Sequence, residues 1–80
     1  YNEKTIAGNF AIKEAFSKAL GTGIRGFSLE EIEVLRKEQG APEIYLYGRA
    51  LDCFKESSAQ HIPCSISHDG EYVVGLVLIQ

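Results

Sequence analysis

Eighty residues with a formal net charge of −3 make at most one small domain, without the basic face that nucleic-acid binding needs. No apolar run approaches the roughly 18 residues of a membrane-spanning helix, so neither nucleic acid nor membrane is an expected partner. The two cysteines, Cys53 and Cys64, form no paired-cysteine motif and read as the reduced, half-buried thiols of a cytoplasmic protein.

Residues 3–20 carry the pattern of a helix. Ala7, Ala11, Ala15 and Ala19 recur at four-residue spacing and predict a narrow stripe for close approach. Ile12, Phe16 and Leu20 form a second row, which Ile6 and Phe10 extend, so most of the circumference reads as apolar or small. Gly21 suits the left-handed residue that ends many helices, and GTGIRG (21–26) follows as a glycine-rich loop. The next stretch, SLEEIEVLRKEQG, has two readings. Its capping box, Ser28 with Glu31, and its helix-friendly residues allow a helix to Gln39. The favoured alternative is one helical turn at 28–31, a strand from Ile32 to Lys37, a turn at Gln39-Gly40 and a second strand over 43–48. Ile44 and Leu46 alternate there with Tyr45 and Tyr47, and a hairpin gives that strand a partner.

RALDCFKESSAQ (49–60) predicts a shorter amphipathic helix that buries Ala50, Leu51 and Phe54. The last third predicts a hairpin, IPCSIS and EYVVGLVLIQ, turned at Asp69-Gly70. The near-continuous apolar run from Val73 to Ile79 reads as a central strand. Helix, hairpin, helix, hairpin is an α+β order, with helices packed on a largely antiparallel sheet.

Three features carry potential chemistry. Glu14 and Lys18 are four apart and share a helix face. As an exposed ion pair they contribute about 0.3–0.5 kcal/mol; beside a glycine-rich loop they are also suited to a divalent cation and a phosphate. GTGIRG alone is weak, because it lacks the Lys-Ser/Thr ending of a P-loop and follows a helix instead of opening one. SISHD (65–69) sets Ser65, Ser67 and His68 at a strand end, as solvated turn residues or as an anion-holding group. His61 has no companion, and nothing resembles a nucleophile elbow.

Taken together, FAIKEAFSKALGTGI and the later SISHDGEYVVGLVL resemble the 4′-phosphopantetheinyl transferase superfamily, in its small holo-acyl-carrier-protein synthase branch. The resemblance runs over essentially the whole chain and implies that family's α+β fold. It implies transfer of the 4′-phosphopantetheine arm from coenzyme A to a serine of apo-acyl carrier protein, with magnesium, in fatty acid biosynthesis. Carried over by motif, Glu14 is a magnesium ligand and Lys18 stabilises charge at the pyrophosphate. Gly21, Thr22 and Gly23 line the nucleotide, Pro42 lies against the adenine, and Ser67 and His68 approach the phosphates of coenzyme A, His68 the 3′-phosphate. A homotrimer with sites at subunit interfaces is also implied.

Such enzymes run to about 120 residues, an ordinary single-domain size, and open on a strand with a G-x-D motif whose Asp is a second metal ligand. The sequence starts at Tyr1 without that motif and is expected to be the C-terminal two-thirds, inactive and poorly folded when isolated. It departs from the family pattern at Asn9, where an arginine is common, and at Gly40-Ala41-Pro42, where a G-K-P is frequent. The competing expectation is a non-catalytic relative that binds coenzyme A or carrier protein without transferring the arm.

Overall fold

The computed structural model describes residues 3–21 and 26–80. Helix α1, Glu3–Leu20, opens on an acidic residue and closes on the basic Lys18, as the helix dipole favours. It ends on Gly21, at φ 83°, whose N–H reaches the Lys18 carbonyl at 3.1 Å. Only Gly8, Ile12, Phe16 and Ser17 of this helix are buried, and Ser17 Oγ satisfies itself by donating to the Lys13 carbonyl at 3.0 Å.

The helix is therefore less enclosed than its composition suggests. Ile6 and Phe10 are 58% and 52% exposed, and Ala7 and Ala19 also face out. Close approach comes less from the alanine row than from two glycines. A Cβ on Gly75 would lie 2.8 Å from the Ala11 carbonyl carbon and 3.0 Å from Ile12 N, so helix backbone rests directly on strand backbone. A Cβ on Gly8 would meet Arg36 and Ile66 almost as tightly, at 3.2 Å.

After a single 3-10 turn at Leu29–Glu31, strands β1 (Ile32–Arg36) and β2 (Pro42–Leu46) pair antiparallel, with Val34 opposite Ile44. The hairpin prevails over the helix because Ile32, Val34, Ile44 and Leu46 alternate onto one face, toward the core. Gly40, at φ 88°, closes the turn, and Lys37 N–H bonds the Ala41 carbonyl at 2.8 Å.

Helix α2, Gly48–Glu56, stops four residues before the expected end. Ser57 Oγ bonds back to the Phe54 carbonyl at 2.6 Å, and Ser58 takes φ 64°, which ends the helical path. Ala50 is buried as expected, together with Cys53, while Leu51 and Phe54 are half-buried.

Strands β3 (Cys64–Asp69) and β4 (Tyr72–Val77) form the second hairpin. Asp69 pairs with Tyr72, so the two-residue loop is Gly70-Glu71 and not Asp69-Gly70; Gly70, at φ 61°, supplies the positive φ at its first position. The pairing continues past the strand ends, from Leu78 N–H to the Pro63 carbonyl at 2.9 Å and from Gln80 N–H to the His61 carbonyl at 3.0 Å.

Helix α1 covers the face of this hairpin that carries Ile66, Gly75 and Val77. The opposite face carries Ser65, Ser67, Val74 and Leu76 and is exposed. Among the described residues β4 pairs only with β3, so its apolar run is not that of a strand enclosed on both faces. The core is Ile12, Phe16, Phe27, Ile32, Val34, Ala50, Cys53 and Val77, with the Phe16 and Phe27 rings 6.0 Å apart and tilted.

Candidate functional site

A cavity of about 530 Å³ opens where the first turns of α1, the β1–β2 turn and β3 meet. Lys4 and Thr5 come from the helix, Arg36, Gly40 and Pro42 from the first hairpin, and Cys64, Ser65 and His68 from β3. Its charged lining is basic, and among the described residues no carboxylate contributes to it. In a chain of net charge −3 this is a local inversion that suits an anion.

Arg36 is the last residue of β1, paired with Pro42 across the hairpin. Its guanidinium runs against α1 at Gly8, and Nη1 is sealed from solvent with no hydrogen-bond partner. Cys64 Sγ donates to the Pro42 carbonyl at 3.5 Å. Burial pushes the Cys64 thiol up, against the opposing pull of Lys37 and Arg36, so it stays a neutral wall of the cavity.

The residues singled out from sequence divide. Pro42 and His68, remote in the chain, line this one cavity. Ser67 is not among the lining residues: it pairs with Val74 on the exposed face of β3, which it shares with Ser65, and Ser65 borders the cavity nearer the start of the strand. Glu14 and Lys18 are exposed on α1, outside the cavity. Gly21 ends the helix, while Thr22 and Gly23 lie outside the described residues. Sequence reasoning missed Lys4 and Arg36, which gain meaning only from the packing of α1 beside the β1–β2 turn.

Among the described residues no three His, Cys, Asp or Glu side chains gather into a metal cage. Glu14 offers one exposed carboxylate, which fits a magnesium ion whose remaining ligands are water and substrate phosphate. A second groove, about 420 Å³, runs between α1 and β1 along Asn9, Lys13, Glu33 and Tyr47. There Tyr47 donates to Glu33 Oε1 at 2.7 Å, and Asn9 Oδ1 is buried without a partner.

The sequence and the fold recur in known proteins. The chain is 43% identical over 83 residues to a holo-acyl-carrier-protein synthase of Clostridium perfringens, covering 99% of the chain and 62% of the relative. It is 45% identical over 80 residues to the synthase of Clostridium botulinum, covering 100% of the chain and 64% of the relative. The chain thus spans a little over three-fifths of the length of these curated relatives. The crystal structure of the Helicobacter pylori synthase in complex with coenzyme A superposes with a TM-score of 0.81 at 36% identity, covering 95% of this chain and 64% of that one. The Neisseria meningitidis synthase gives 0.84 at 37% identity, covering 96% and 62%. The sequence model of the 4′-phosphopantetheinyl transferase superfamily matches residues 2–77, and with that span and these structures agreeing the chain belongs to this superfamily.

Proposed function

We propose that the protein transfers the 4′-phosphopantetheine arm of coenzyme A to a serine of apo-acyl carrier protein and releases adenosine 3′,5′-bisphosphate. The observation that carries this reading is the cavity shared by Pro42 and His68, basic and without a carboxylate among the described residues, in a chain whose Helicobacter pylori relative binds coenzyme A. In the reaction the serine hydroxyl oxygen bonds to the phosphorus that bears the pantetheine arm. The bond from that phosphorus to the bridging oxygen breaks, the hydroxyl proton passes to a base or water, and the nucleotide leaves as a phosphate.

The nucleophile belongs to the carrier protein, so the chain needs no catalytic triad. Its share is binding and charge. Pro42 is assigned to the adenine, His68 to the 3′-phosphate and Gly21 to the nucleotide, as are Thr22 and Gly23, which lie outside the described residues. Lys18 offsets the negative charge that gathers on the leaving oxygen, the kind of electrostatic help that supplies most of the rate in phosphoryl chemistry. Bound magnesium, with Glu14 among its ligands, would neutralise the pyrophosphate. The exposed apolar face of β4 suits a subunit contact, which supports a homotrimer with sites at its interfaces. Reduced, unpaired Cys53 and Cys64 are in keeping with the cytoplasm.

Incubating the full-length protein with apo-acyl carrier protein, coenzyme A and magnesium should add the arm's mass to the carrier protein. No mass gain sinks the proposal. Glu14→Gln should lower kcat by tenfold or more, on the order of one lost charge contact in the transition state. Full activity in that variant removes Glu14 from the metal.

A further inference from the structure

Arg49, the second residue of α2, lines neither the cavity nor the second groove. It is exposed, yet its Nε donates to the Gly26 carbonyl at 3.3 Å, which ties α2 to the end of the glycine-rich stretch 21–26. That stretch is held at both ends. Where α1 stops, Gly21 N–H bonds the Lys18 carbonyl at 3.1 Å. Just past Gly26 the chain enters the core, with the buried Phe27 ring against Phe16 and Ser28 in its capping box with Glu31. The backbone of Arg49 is set in turn, because its N–H bonds Glu31 Oε2 at 3.3 Å. Phe27 and the capping box already fix the fold at this point, so the side-chain bond of Arg49 adds direction at Gly26 more than it adds core.

Resting on the reading that Gly21, Thr22 and Gly23 border the nucleotide of coenzyme A, we propose that Arg49 is a positioning residue for nucleotide binding. It touches no ligand and acts through the Gly26 carbonyl, where the glycine-rich stretch rejoins the fold. The stretch carries three glycines in six residues, and glycine has the most backbone freedom to lose. Anchoring both ends leaves fewer conformations to compete with the one that receives the nucleotide, so less ordering is left for the ligand to impose. The nucleotide is held both before and during transfer, so the effect falls on KM and not on kcat.

Two substitutions in the full-length protein separate the bond from the charge. Glutamine carries an N–H donor at the same point along its side chain as arginine Nε, without the charge, whereas methionine has a methyl group there. Arg49→Met should raise the KM for coenzyme A by about threefold to tenfold, the usual worth of one hydrogen bond, at unchanged kcat. Calorimetric binding of adenosine 3′,5′-bisphosphate should weaken by the same factor, because that product keeps the nucleotide. Arg49→Gln should recover most of both losses. Equal losses in the two variants would assign the effect to charge and overturn the positioning role. A loss for coenzyme A that spares the bisphosphate, a fall in kcat at unchanged KM, or ligand affinity left intact beside a lower urea midpoint would overturn it too. Each of these leaves the transferase reading standing. An unaltered protein that binds neither ligand and transfers no arm overturns that reading and the role of Arg49 together.

Discussion

Gly75 carries more of the structure than its size suggests. It lies in the middle of β4, where a strand residue normally packs a side chain, yet α1 backbone occupies that place at Ala11. Gly75→Ala would set a methyl 2.8 Å from backbone carbon, and neither helix nor hairpin can yield without moving the Ile12 and Phe16 contacts. The expected cost is about 1–3 kcal/mol, typical of overpacking, read as a lower urea midpoint at unchanged slope. A midpoint within error of the unaltered protein would show that the helix can ride up freely. On the surface, the Tyr47 hydroxyl donates to the Glu33 carboxylate at 2.7 Å, and that bond, foremost, holds the phenol above its usual range. A phenol whose folded value is raised is stabilised in its neutral form. Its contribution is complete below the ordinary tyrosine value of about 10 and is lost as pH rises through the folded value. Glu33→Gln should return Tyr47 toward the ordinary value in an absorbance titration of tyrosinate; an unmoved titration would show that the bond does not persist in solution.

At the scale of elements, one carboxylate joins two pieces of chain. Glu31 completes the capping box with Ser28, accepting its N–H at 3.3 Å, and also accepts the N–H groups of Arg49 at 3.3 Å and Ala50 at 3.2 Å at the start of α2. Gly48 turns the chain there at φ 54°, with so little space that a Cβ would collide with the Glu31 carboxylate. Glu31→Ala removes the shared cap and should cost about 1–2 kcal/mol, with loss of protection at the Arg49 and Ala50 amides in hydrogen exchange. Retained protection would mean that α2 is held by its buried Ala50 and Cys53 alone.

The capping box itself was legible in the sequence, and so was the first hairpin, because period-two alternation at Ile32, Val34, Ile44 and Leu46 outweighed local helix preference; the second hairpin was legible too, with its turn one residue later than Asp69-Gly70. The second use of Glu31 was not legible, since it depends on where α2 is brought. The opposite faces of Ser67 and His68 were legible in principle, because neighbours in a strand always point apart. The meeting of Lys4 and Arg36 at one cavity was not, since no local pattern relates the first turn of a helix to the end of a strand packed beside it.

At the scale of the whole molecule, the outer face of the β3–β4 hairpin is exposed apolar surface. Val74 and Leu76 are 60% and 57% exposed there, with Tyr72 and Leu78 beside them and Ser65 and Ser67 on the neighbouring strand. Helix α1 covers the other face, so this apolar surface is not turned inward by any rearrangement that keeps Gly75 under Ala11. Contiguous exposed apolar surface of this kind marks an interaction site more often than bare surface. The proposed homotrimer gives it an occupant, a second copy of the same hairpin or its neighbour. Leu76→Lys places a charge at the centre of that face without touching the core or the cavity. If the face is the subunit contact, light scattering should show a trimer for the unaltered full-length protein and a monomer for the variant. Coenzyme A binding should then fall with the trimer, because the site would be completed across the interface. A variant that stays trimeric would place the contact elsewhere, and a monomer that binds coenzyme A as tightly as the trimer would show that the cavity at Arg36 and His68 is complete within one chain.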